Sequence, residues 1–229
     1  LWRWWGPGRL YADLAQGVED MPVIRVVVGL NWTMVETPTG IGLAQTPERG
    51  TPGCAATSQA GKRTEAGLRD LAGLVHSDNP FDKALGMAAC NAWYNRFDMR
   101  AEGGNGLESF GTKGAGTVVI GAFPGIAERL PGARIIDRKP GPGQYPEQAA
   151  EGLLPGAEAV IMTASTARVA LVGPGAPLTA RLFNYGIEVS SGLIAEDRDG
   201  LARTVAEGGG AKDLKRHCRQ ATIRKPATP

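Results

Sequence analysis

The sequence predicts an α/β protein of two domains: a Rossmann-like parallel-sheet domain over residues 106–229, preceded by a smaller α+β domain over residues 1–105. Three observations carry this prediction. Thr117-Val118-Val119-Ile120-Gly121-Ala122-Phe123-Pro124 and Glu158-Ala159-Val160-Ile161-Met162-Thr163-Ala164-Ser165-Thr166 each hold a β-branched apolar run that stops at small or hydroxylated residues. Buried parallel strands look like this where they deliver their C-terminal ends to a ligand crevice. From Thr117 onward such runs alternate with helical stretches, which implies crossovers. Before them, strands come first and helices after, an α+β order.

The elements follow in chain order. A short helix is expected over 9–16, then strands over 23–30, 32–37 and 41–44, with Pro38-Thr39-Gly40 as a turn that makes them a meander. Residues 46–63 read as an irregular loop. Leu68, Leu71, Ala72 and Val75 recur at helical spacing over 65–76. A second helix over 81–97 starts at Asp78-Asn79-Pro80, where a capping side chain precedes a proline at the first helical position. The glycine-rich stretch 101–116 reads as a linker. Strands are then expected over 117–121, 134–137, 158–163, 168–173 and 187–194, with helices near 125–130, 146–153, 177–184 and 197–207. One connection breaks the pattern. Only residues 164–167 separate two of these strands, whereas a parallel crossover needs about a dozen residues. Either the two strands pair antiparallel or a segment is missing near 166–167; Ser165-Thr166, a helix start with no helix after it, favours the second.

Composition excludes several classes. A formal net charge of +2 over 229 residues argues against a polyanion partner, so no nucleic acid is expected. The basic residues between Lys212 and Lys225 lack the interleaved aromatics of a single-strand binder and read as a solvated face. No apolar run approaches the roughly 18–20 residues needed to cross a bilayer, so no membrane partner is expected. Three cysteines without paired spacing fit a reducing compartment, and the expected location is cytoplasmic. Trp2, Trp4 and Trp5 suit packing against the domain edge or another subunit, leaving room for a homo-oligomer.

Gly121-Ala122-Phe123-Pro124-Gly125 stands where a nucleotide-binding protein places its phosphate loop. Pro124 removes a donor and Phe123 adds bulk, so the dinucleotide fingerprint fails while a different ligand pocket remains open. Asp137 closes the second strand of that domain, where a ribose-binding carboxylate often sits. Thr163, Ser165 and Thr166 supply hydroxyls at a third strand end, for capping or ligand contact. Gly173-Pro174-Gly175 would form a rigid lip on the same rim.

These motifs, together with Gly29-Leu30-Asn31-Trp32-Thr33, Gly40-Ile41-Gly42-Leu43-Ala44, Asn79-Pro80-Phe81 and Gly86-Met87-Ala88-Ala89-Cys90-Asn91-Ala92, resemble the putative heavy-metal-chelation family (domain of unknown function 364). The resemblance keeps its order along nearly the whole chain. It implies an N-terminal partner domain like the N-terminal domain of enolase, a cleft between the domains as the functional site, and a transition metal as ligand. On that implied cleft, Asn31 and Thr33 are polar candidates from the first hairpin, and Asn91 is an amide inside an apolar helix that must find partners.

Metal chemistry asks for donors at set spacings. His76, His217, Cys54, Cys90 and Cys218 form neither a C-x-x-C nor an H-x-x-x-H array, so no soft-metal site is specified. Cys90 reads as a small core residue, and His217 with Cys218 as part of a C-terminal tail. Cys54 is the most available thiol, and Glu36 and Asp137 are the oxygen candidates for a cation. Three functions stay open: a protein binding a metal or metal complex, an enzyme acting on a small polar or anionic metabolite, and a non-catalytic accessory protein. No general base is positioned well enough by sequence to assign catalysis.

Overall fold

The computed structural model describes residues 11–48, 57, 59–100, 102–104, 107, 114–162 and 189–224. Two compact units result, one formed by 1–106 with 169–229 and the other by 107–168. The expected strand over 168–173 and helix over 177–184, and the spacing problem near 166–167, lie outside the described residues.

The first unit is built on an antiparallel sheet of β1 (Arg25–Val28), β2 (Trp32–Glu36) and β3 (Ile41–Gln45), in that order. Alternation sends the odd residues of β2 to one face and the even residues to the other. Val35 packs with Leu68, Leu71, Leu85 and Met87, from α2 (Leu68–Gly73) and α3 (Pro80–Tyr94), and with Leu14 of a helix over 11–16, α1. Met34 packs on the opposite side with Leu201, Val205 and Leu214. The sheet is therefore covered twice. The start of α3 follows from local chemistry: Asn79 Oδ1 accepts a hydrogen bond from Phe81 N–H at 2.9 Å, and Pro80 follows the cap.

The small residues of the two motifs interlock. A Cβ on Gly42 would run into the backbone of Ala88, Asn91 and Ala92, and one on Gly40 into that of Ala92 and Asn95. Gly42 on β3 and Gly40 just before it thus let the strand approach the backbone of α3 closely.

The second covering layer comes from the far end of the chain, and here the expected boundaries fail. The sequence pattern puts residues 189–224 in the 106–229 domain, with 187–194 as a strand of its sheet. They instead form β9 (Val189–Ala195), α6 (Arg198–Ala206), α7 (Ala211–Leu214) and β10 (Cys218–Arg224) within the first unit. The physical reason is the apolar stripe Leu201, Ala202 and Val205, which buries against Met34, Ile41 and Leu43. β10 pairs antiparallel with β9 and with β4 (Glu102–Gly103), giving the order β4-β10-β9. What reads as a basic, solvated tail is a central strand, with Ala221 and Thr222 buried.

The second unit carries the parallel sheet. Its order is β7 (Tyr145–Pro146), β6 (Arg134–Asp137), β5 (Thr117–Ile120), β8 (Ala159–Met162), every pairing parallel. α4 (Ile126–Arg129) connects β5 to β6 and packs Ile126 and Leu130 on Val119 and Ile135. A 3-10 turn (Glu147–Ala149) and α5 (Ala150–Leu153) precede β8.

Candidate ligand site at the ends of the parallel strands

Because β6 lies on one side of β5 and β8 on the other, the chain reverses its direction of travel beside β5. A reversal of this kind opens a crevice at the C-terminal ends of the strands. Gly121 leaves β5 with φ +89°, a left-handed conformation that favours glycine, and donates its N–H to Ile136 O at 2.9 Å. Ala122 N–H then donates to Asp137 Oδ2 at 2.8 Å, while Lys139 N–H donates to Oδ1 at 2.9 Å. These two backbone donors, Lys139 foremost, hold the Asp137 carboxyl below the usual carboxylate range; the Arg138 charge adds to them. Both carboxylate oxygens are thus engaged, Oδ1 by the turn that follows β6 and Oδ2 by the β5–α4 loop. Beyond it lies a hollow of about 410 Å³, bordered by Phe123, Pro124, Ile126, Ile135 and Gln144.

Gly121, Phe123, Pro124 and Asp137 are thus brought together at one end of the parallel sheet. Thr163, Ser165, Gly173, Pro174 and Cys54 lie outside the described residues. The candidates in the first unit are occupied within it. Asn31 Nδ2 donates to Gly208 O at 2.7 Å and ties the first hairpin to the end of α6. Thr33 is buried and shares a 3.0 Å hydrogen bond with Thr46. Asn91, fully buried, donates Nδ2 to Leu43 O at 2.7 Å and fastens α3 to β3. Glu36, on the opposite face of the sheet, accepts Arg25 Nε at 2.8 Å, with Arg198 Nη1 3.6 Å away.

The metal donors fare no better. Among the described residues no three His, Cys, Asp or Glu side chains converge on a metal position. Burial pushes the Cys90 and Cys218 thiols up to about 12, so neither offers the thiolate a soft metal needs. His217 is no free tail residue. Its Nδ1 lies 2.8 Å from Asp197 Oδ2 and its Nε2 3.0 Å from Thr204 Oγ1. Asp197 also caps α6 through Gly200 N–H, and that bond, with the histidine, holds its carboxyl low.

Sequence reasoning missed Gln144. Its signal was the Gly141-Pro142-Gly143 turn before it, which fixes a side chain only once the neighbouring loop is in place.

Two family models, both described as putative heavy-metal chelation, match residues 11–94 (DUF4213) and 165–224 (DUF364). The chain belongs to this family. A protein of unknown function from the DUF364 family of Desulfitobacterium hafniense DCB-2 has a similar structure, with a TM-score of 0.75 and 26% identity. That match covers 96% of this chain and 99% of the other. A second DUF364 protein of unknown function, from Pyrococcus horikoshii, shares the fold at 17% identity, with a TM-score of 0.69 over 95% and 98% of the two chains. No curated protein matches. The family names suggest heavy-metal chelation, and the shared fold is a mixed α/β one with a parallel four-stranded sheet and antiparallel sheet regions. Among the described residues no helix is long and apolar enough to cross a membrane.

Proposed function

We propose that this DUF364-family protein binds a small organic ligand, or a metal already held by such a ligand, at the C-terminal ends of β5 and β6. One observation carries the reading: a loop tied to the end of β6 through Asp137 Oδ2 borders a hollow large enough for a small molecule. The donor chemistry favours a metal complex over a bare ion. Glu36 and Asp137 are engaged by arginine and by backbone N–H groups, and two of the three thiols are held protonated. A complex that brings its own donor atoms needs shape and a few hydrogen bonds from the protein rather than free thiolates.

Native mass spectrometry with elemental analysis tests this on protein purified without a metal column. The expected result is an organic mass bound at one per chain, with any metal present in proportion to it. A stoichiometric metal without an accompanying organic mass would overturn the reading in favour of bare-ion chelation.

A further inference from the structure

The hollow carries one feature that says what kind of ligand it takes. Gly141 N–H donates to Gln144 Oε1 at 2.9 Å, and Gln144 N–H donates back to Gly141 O at 3.1 Å. Gly143, with φ +77°, makes the intervening turn possible. The two bonds close the loop on itself and fix the glutamine side chain. They also settle which end of the amide is which, since a backbone N–H must meet an acceptor and only Oε1 is one. The Nε2 hydrogens are therefore held at the other end of the amide. Among the described residues no protein acceptor takes them, and Gln144 borders the hollow beside Phe123, Ile126 and Ile135.

We infer that Gln144 is a specificity-determining residue, whose fixed NH₂ group selects a ring-bearing, largely apolar ligand with a neutral hydrogen-bond acceptor. The inference rests on the ligand reading above. Its parts follow from the lining. Phe123, Ile126 and Ile135 favour an apolar body, and an aromatic wall favours a ring. Glu128, on the same rim, disfavours a carboxylate or phosphate there, so the acceptor is a ring nitrogen or a carbonyl. A ligand lacking the acceptor would cover a donor that then loses its water partners, and this cost makes the selection.

Quinoline and naphthalene test it, because they share a shape and differ by one ring nitrogen. Binding is followed by amide and methyl NMR shifts of Phe123, Ile126 and Ile135 in the full chain. Gln144→Glu is the informative variant: it retains an acceptor for Gly141 N–H, so the loop stays closed, but replaces the donor with a second acceptor. The quinoline-to-naphthalene affinity ratio should fall about fivefold in this variant, the size of one neutral hydrogen bond. Gln144→Leu should lower the ratio in the same direction and guards against a fold effect peculiar to glutamate. An unchanged ratio in both variants, with both probes bound, would overturn the role of Gln144 while leaving the hollow as a ligand site. Failure of both probes to move the three residues would overturn the ligand reading together with it.

Discussion

Asp137 serves its site from behind. Its two oxygens accept Ala122 and Lys139 N–H, so its charge ties the β5–α4 loop to the turn after β6. Asparagine at this position offers one acceptor where two are needed, and its NH₂ would face a backbone donor. Asp137→Asn should therefore speed amide hydrogen exchange at Ala122 or Lys139 and weaken ligand binding, with little change in melting temperature. The same release follows from acid. Folding lowers this carboxyl's pKa, so its contribution is complete above the ordinary aspartate value near 4 and is lost as pH falls through the lowered value. Exchange at the two amides, followed from about pH 5 downward, reads this directly. A second residue-scale expectation concerns thiols. Cys90 and Cys218, raised to about 12 by burial, should resist a maleimide at neutral pH in the native chain and react once it is unfolded.

At the scale of elements, the contact between β3 and α3 is the most sensitive to size. Gly42→Ala forces a methyl group into the α3 backbone, which cannot yield as a side chain would; a loss of about 3 kcal/mol is expected from denaturant titration. Gly73 offers the contrast. It ends α2 with open space where a Cβ would stand, and Gly73→Ala should stabilise by about 0.5 kcal/mol. The elements also show what was legible beforehand. The start of α3 was readable because Asn79 and Pro80 act on the bonds next to them. The second strand of the parallel sheet was expected at its observed bounds, since Ile135 and Ile136 are bracketed by charged residues. β10 was not readable. Arg219 and Thr222 in this strand spend their polar ends on Met99 O and Gly104 O, and a strand whose side chains are satisfied by distant carbonyls looks like a solvated run. The rim of the hollow beside β5 was half legible for the same reason. Gly121 and Pro124 announce a turn by themselves, whereas Gln144 acquires its role only from Gly141 and the facing loop.

At the scale of the molecule, the first unit is discontinuous. Its sheet buries Val35 on helices that precede residue 95, but Met34, Ile41 and Leu43 wait for α6 and α7. A chain ending at residue 188 should therefore expose that second face. It is expected to bind a hydrophobic dye and elute as aggregates, while the full chain does neither. Arg25 adds to the join, bonding Glu36 on β2 and Asp199 on α6. Arg25→Ala leaves a buried carboxylate short of its main partner, and about 2 kcal/mol should be lost in denaturant titration.

That discontinuity sets a timetable for synthesis. The parallel unit leaves the ribosome whole while its host is still missing one wall, and at roughly 5–20 residues per second the wait from α3 to β10 is on the order of ten seconds. During this interval the newborn chain presents Met34, Ile41 and Leu43 to the cell with nothing of its own to cover them. Chaperone demand should be concentrated there, before β10 has joined the sheet.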